Sequence, residues 1–169
     1  MHGQKGALVL KVLSLDPGET TGYALAVNAK EKLYLAYSEE KFDHQAFWDF
    51  LRKIGLHGTV HTVCEDFEFR RGKQKDGLNL YPVELIGIVR LFCNGSQWSP
   101  LWMQKAAQGK AYYDDNKLKS MEVYQRGCEH GRDATRHLLH WFTFGPGYQF
   151  NEDPQVELVT EEWIRESYF

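Results

Sequence analysis

Cysteine is scarce in this chain: Cys64, Cys93 and Cys128 are odd in number, far apart and never in a C-x-x-C pair. That excludes a disulfide framework and a four-cysteine zinc module, and reduced thiols are expected. No run of 18 apolar residues occurs, and the first residues, Met1-His2-Gly3-Gln4-Lys5-Gly6-Ala7, lack the apolar stretch of a signal peptide. A soluble, cytoplasmic protein with no membrane partner is expected, in the host cytoplasm if the chain is phage-encoded. Internal repeats and low-complexity segments are also missing. A solenoid is thereby excluded.

A strong positive charge is missing too. The net charge is -3, against the basic balance usual for nucleic-acid binders. The distribution qualifies this. Residues 150–169 hold six acids (Glu152, Asp153, Glu157, Glu161, Glu162, Glu166) and one base, Arg165, which leaves 19 bases and 17 acids in residues 1–149. The expected organisation is one α/β domain over 1–149 and an acidic tail over 150–169. The densest basic cluster, Arg70-Arg71-Gly72-Lys73-Gln74-Lys75, lies in an apolar-poor segment that reads as a solvated loop.

What the chain does have is an apolar run, Leu8 to Leu15, delivering Asp16 to the turn Pro17-Gly18, with Thr20-Thr21-Gly22-Tyr23 following. Proline cannot donate to a sheet ladder and glycine accepts turn dihedrals, so a buried strand ends here with a carboxylate at its mouth. Such a position suits a metal ligand, and it also suits an ordinary turn. Tyr23–Val27 and Leu33–Tyr37 read as two further strands of an antiparallel meander. Asp43 is placed to cap a helix that buries Ala46, Phe47, Phe50, Leu51 and Ile54. The strand Thr59–Cys64 then runs into Glu65-Asp66-Phe67-Glu68-Phe69, so a second acid follows a second strand.

Asn79 and Pro82 open a helix with the stripe Leu85, Ile88, Val89 and Phe92, ended by Asn94-Gly95. Trp98–Met103 reads as a strand, 105–119 as a polar lysine-rich stretch, and Met121–Tyr124 as a short helix. Gly127–Gly131 is a loop into a helix starting near Arg132-Asp133-Ala134, with Ala134, Leu138, Trp141 and Phe142 inward and Gly145-Pro146-Gly147 as its stop. The order is three antiparallel strands followed by α-β-α-β-α, which makes a mixed five-stranded sheet flanked by helices.

Three segments carry a resemblance to a known family. Val12-Leu13-Ser14-Leu15-Asp16-Pro17-Gly18 with Thr21-Gly22-Tyr23, Val63-Cys64-Glu65, and His130-Gly131-Arg132-Asp133-Ala134 resemble, in order, the motifs of RuvC-like Holliday junction resolvases. These enzymes belong to the ribonuclease H-like superfamily, and the compact phage-type versions are the most similar. The resemblance spans roughly residues 8–142 and implies a ribonuclease H-like fold and an endonuclease that cuts branched DNA. Four-way junctions are the first choice of substrate, with DNA flaps or the RNA strand of RNA–DNA hybrids as the alternative, and a homodimer is implied for two symmetric cuts. One position departs from the acidic pattern of the last motif: His130 stands where an acid is usual, so the resemblance makes it a metal ligand or proton carrier.

Phosphodiester hydrolysis needs an activated water, a stabilised five-coordinate phosphate and help for the leaving oxygen. Two Mg²⁺ ions about 3.5–4 Å apart, with Mn²⁺ as a substitute, supply these from a carboxylate cluster. Asp16 is assigned the bridging position, Glu65 one ion, and Asp133 with His130 the other. Asp66 and Glu68 compete with Glu65, although strand alternation turns Asp66 away. Phe67, Phe69, Arg70, Arg71, Lys73 and Lys75 form an aromatic-then-basic segment that in the family meets the junction centre; the two phenylalanines have a plain core reading as well. Lys105, Lys110 and Lys117 are candidate phosphate contacts, and Lys119 resembles a family lysine near the scissile phosphate.

Three other readings compete. Asp16-Pro17-Gly18 also resembles the phosphate-binding turn of actin-like and sugar-kinase ATPases, but those need two such domains. Cys128, His130, His137 and His140 offer a zinc site with non-standard spacing. A catalytically silent binder of DNA structures would keep the fold and have no need of the acids.

Overall fold

A central strand buried on both faces favours a near-continuous apolar run, and residues 12–15 supply it with Val12, Leu13 and Leu15, the small Ser14 being buried among them. In the computed structural model, which describes residues 9–29, 32–55, 59–68, 79–95, 101–145 and 154–169, they form the middle of strand β1 (Leu10–Asp16). β2 (Thr21–Ala29) and β3 (Lys32–Glu40) complete the expected antiparallel meander, each longer than the apolar core alone predicts. β4 (Val60–Asp66) and β5 (Leu101–Lys105) add on parallel to β1.

Among the described residues the sheet has six strands, in the order β5-β4-β1-β2-β3-β6, and not five. The sixth comes from the segment expected to be an acidic tail: β6 (Val156–Leu158) pairs parallel with Leu33–Leu35 of β3. Helix α6 (Glu161–Tyr168) follows, capped by the Thr160 hydroxyl, and it buries Ile164 against the sheet with Phe169 beside it. A high density of acids conceals these elements. Their apolar residues nonetheless sit at strand and helix spacing, with Glu157, Glu162 and Glu166 exposed and Glu161 accepting from the Tyr23 hydroxyl at 2.8 Å.

Helices cover both faces. On one, α1 (His44–Gly55), α2 (Tyr81–Gly95) and α6 pack on Leu13, Leu15, Tyr23 and Leu25. Both expected caps are in place: the Asp43 carboxylate accepts from Ala46 N–H at 2.7 Å and the Asn79 side chain from Tyr81 N–H at 3.0 Å. On the other face, α5 (Glu129–Phe144) lies over Val12, Ala24, Ala26 and Val63. The polar, lysine-rich stretch, given no element from the sequence, holds two helices, α3 (Ala106–Tyr112) and α4 (Asp115–Ser120), and Met121–Tyr124, read as a short helix, is not helical. Tertiary contact overrides the polar composition here. Gly109 lets α3 lie against α5, where a Cβ would come within 3.1 Å of the Arg136 backbone, and Tyr113 and Leu118 are fully buried. Among the described residues no helix is long and apolar enough to cross a membrane.

Candidate active site

Asp16 and Glu65 meet because β1 and β4 are parallel neighbours. Leu15 pairs with Cys64, so the next residue on each strand, both acids, emerges side by side at the carboxyl ends. In open α/β sheets such strand ends form the crevice where ligands bind. Both acids share the strand parity of Val12 and Val63, which face α5. Asp66 takes the opposite parity and lies 3.9 Å from Arg90 on α2.

Helix α5 brings the rest of the site. It begins at Glu129, three residues earlier than its apolar pattern predicts, so Asp133 sits in its second turn and not its first. Any gain from the helix dipole at Asp133 is correspondingly smaller. The early start is held from across the sheet, where the Glu39 carboxylate accepts the His130 backbone N–H at 2.8 Å. Gly22, the β2 partner of Asp16, permits the approach: a Cβ there would lie 2.0 Å from the His130 carbonyl oxygen. The glycine of Thr21-Gly22-Tyr23 is thus the contact point that sets α5 beside Asp16.

His130, Asp133 and His137 follow at helical spacing on one stripe of α5. His130 Nδ1 lies 3.0 Å from Asp16 Oδ2. His137 Nε2 lies 2.8 Å from Glu65 Oε2, and its Nδ1 lies 2.9 Å from Gln104 Oε1 on β5. Asp133 is clasped by two cations: Lys110 Nζ of α3 at 2.6 Å from Oδ2, and the Arg136 guanidinium on Oδ1. Arg136 also reaches Asp115 and donates from Nε to the Tyr113 carbonyl at 2.9 Å.

The electrostatics tie the three acids together. Burial pushes the Asp16 carboxyl up to about 6; the negative charge of Glu65 adds to this, the His130 hydrogen bond opposes it, and Asp133 raises it further. The Asp16 carboxyl therefore feels the charge of both other acids. Hard oxygen donors of this kind fit Mg²⁺ or Mn²⁺. In the present side-chain arrangement, however, no three His, Cys, Asp or Glu groups among the described residues converge as ligands.

The other candidate residues divide. Lys110 is at the site, whereas the Lys119 ammonium lies 4.8 Å over the Tyr124 ring, whose other cationic neighbour is Arg132. Lys117 lies 5.7 Å over Tyr112, and Lys105 pairs with Glu68 at 3.7 Å. Phe67 packs partly buried against the core, as its plain reading expects. Phe69, Arg70, Arg71, Lys73 and Lys75 lie outside the described residues. The zinc alternative finds no support, since His137 spends both nitrogens on Glu65 and Gln104, and His130 turns Nδ1 to Asp16. Sequence reasoning missed Glu39, Gln104 and Arg136 and weighed His137 only for zinc. The spacing of His137 from Asp133 and His130 was the available signal.

No protein-family model matches the sequence, and a search of curated proteins finds no significant match. In structure the chain is similar to T. thermophilus RuvC, solved in complex with a Holliday junction substrate. The two share 18% identity, the match covers 78% of this chain and 92% of that one, and the TM-score is 0.51. That likeness establishes the fold: a mixed sheet of ribonuclease H-like type with helices on both faces.

Proposed function

We propose that the protein is a divalent-metal-dependent endonuclease of branched DNA, with the four-way junction as its substrate. The observation that carries this reading is Asp16 and Glu65 side by side at the carboxyl ends of β1 and β4, with Asp133 on the overlying α5 near enough to act on Asp16 electrostatically, in a ribonuclease H-like fold. Asp16, Glu65, Asp133 and His130 would hold two Mg²⁺ ions, which when bound supply charge stabilisation and an acidified water.

The chain's own side chains have separate tasks. Asp16 lies between Glu65 and Asp133 in electrostatic terms and takes the shared position. His130 holds the Asp16 oxygen through Nδ1 and can carry the proton that Asp16 releases. Lys110 is half-exposed, already at Asp133, and on a helix facing the site, so it is the cation best placed to meet a phosphate oxygen. Lys119, with Arg132 at Tyr124, serves as an outer contact to the DNA backbone. A homodimer would place two such sites for paired cuts.

The deciding experiment incubates labelled four-way junction, flap, duplex and RNA–DNA hybrid with Mg²⁺ or Mn²⁺, using wild type and Asp16→Asn. Metal-dependent cutting of the junction by wild type is expected, with binding but no cutting by the variant. Undiminished cutting by Asp16→Asn would overturn the metal assignment. The clasp of Lys110 and Arg136 on Asp133 favours a second reading, a silent binder of branched DNA; tight junction binding with no cutting under either metal would establish it.

A further inference from the structure

Glu65 is not steadied by its own strand. Its Oε2 accepts from His137, a ring only 1% exposed, and the far side of that ring meets Gln104 at 2.9 Å. Gln104 is in turn the cross-ladder partner of Glu65 and is itself buried. Three elements, β4, β5 and α5, therefore close a ring of contacts whose open end is one carboxylate at a strand mouth. A carboxylate oxygen only accepts, so a ring N–H at His137 Nε2 is the donor that suits Glu65 in the anionic form a metal ligand needs. The Gln104 amide carries both a donor and an acceptor end and can hold Nδ1 whatever that nitrogen presents.

A buried histidine needs partners, and a purely structural one can find them in backbone carbonyls. Here both partners are side chains, and one is an acid assigned to the site. A glutamate side chain is long and loses much rotamer freedom when it is fixed. With Oε2 fixed in the metal-free protein, that ordering is complete before any cation arrives, and Oε1 is the oxygen left to meet it. We propose that His137, locked by Gln104, is a positioning residue that holds Glu65 in its cation-binding orientation. This rests on the metal-dependent nuclease reading above.

The test measures Mn²⁺ binding to the whole protein by the electron paramagnetic resonance of free Mn²⁺. Wild type is compared with His137→Leu, His137→Gln, Gln104→Leu and Asp16→Asn, with melting in EDTA as a check on folding. Leucine fills the space without a donor, while the glutamine amide can take the place of Nε2. His137→Leu is expected to weaken Mn²⁺ binding about 10–100-fold, the usual consequence of removing a ligand's supporting hydrogen bond. Gln104→Leu should lose less in the same direction, His137→Gln should retain most of the affinity, and junction binding in EDTA should not change. Folded His137→Leu that binds Mn²⁺ within twofold of wild type would overturn the proposal, and so would equal losses in the Leu and Gln variants. If His137→Leu does not fold, wild-type affinity in Gln104→Leu overturns it. Wild type with no Asp16-dependent Mn²⁺ binding would sink the nuclease reading and this proposal together, whereas failure of His137 alone leaves that reading standing.

Discussion

Replacing Asp16 by asparagine should make the metal-free protein more stable. The folded state raises this carboxyl from 3.8 to about 6, so folding favours the protonated form. Well below the unfolded value of 3.8, at about pH 2–3, both folded and unfolded chains hold the proton, and Asp16 costs nothing. As pH rises through this interval the unfolded chain gives the proton up first, stability falls, and the loss is complete above the folded value of about 6. Each pKa unit is worth about 1.36 kcal/mol, so the full penalty at pH 7.5 is roughly 3 kcal/mol, with about half of it already present at pH 5. Asparagine keeps the shape and an oxygen for His130 but has no charge to bury. With some allowance for local relaxation, Asp16→Asn should gain about 2–3 kcal/mol at pH 7.5, or about 5–10 °C in melting temperature for a chain of this size. The assay is urea unfolding in EDTA at pH 5 and 7.5, followed by the same series in Mg²⁺. Saturating Mg²⁺ should stabilise wild type and leave the variant unmoved, which narrows or reverses the gap. A variant no more stable than wild type at pH 7.5 in EDTA, or a gap of equal size at the two pH values, would refute the reasoning.

Other substitutions probe the parts that assemble the site. Gly22→Ala puts a methyl group 2.0 Å from the His130 carbonyl oxygen, so α5 must shift; a loss of about 3 kcal/mol in urea unfolding is expected, with loss of junction cleavage. Lys110→Ala should lower the rate of junction cleavage at saturating metal about 100-fold, the scale for removing one donor to a developing charge. Lys119→Ala should instead weaken junction binding and reduce its salt slope by about one, as for a single phosphate contact. Ile164→Ala, at a fully buried position in α6, should cost about 2–5 kcal/mol by thermal or urea unfolding while the rate of cleavage per folded molecule is unchanged.

Most of the sheet was legible because its strands are short apolar runs ended by strong punctuation: Pro17-Gly18 after β1, the Asp43 cap after β3, and the acids at the end of β4. The acidic segment was not, since a three-residue strand such as Val156–Leu158 has no periodicity of its own and exists only because β3 offers an edge to pair with. Within the site, Asp16, Glu65, His130 and Asp133 stood out as acids, or a replacement for one, at strand and helix boundaries. Glu39, Gln104 and Arg136 carry no such mark, because their importance comes from register and packing. Glu39 matters because its carboxylate reaches the α5 backbone from β3, and Gln104 because β5 pairs with β4 in the register that sets it beside Glu65.

Two carboxylates under α5 and a third on it, near enough for Asp16 to feel both others, require compensation, and each acid receives it differently. Asp16 retains its proton to about pH 6 beside His130, and Glu65 takes a ring N–H from His137. Asp133 takes two full cations. The two are not equally free to leave. Arg136 is buried and bound also to Asp115 and the Tyr113 carbonyl, so releasing it would strand several polar groups at once. Lys110 is half-exposed at the end of a long flexible side chain, and turning it toward solvent leaves nothing unpaired but Asp133 Oδ2. That oxygen is therefore the one exchangeable acceptor on Asp133. With a divalent cation held by Oδ2, Lys110 would no longer be needed to neutralise Asp133, and its ammonium could meet a phosphate oxygen. On this argument the clasp and the proposed catalysis are compatible: the lysine that neutralises Asp133 in the metal-free protein would be free to turn to DNA once a cation was held there.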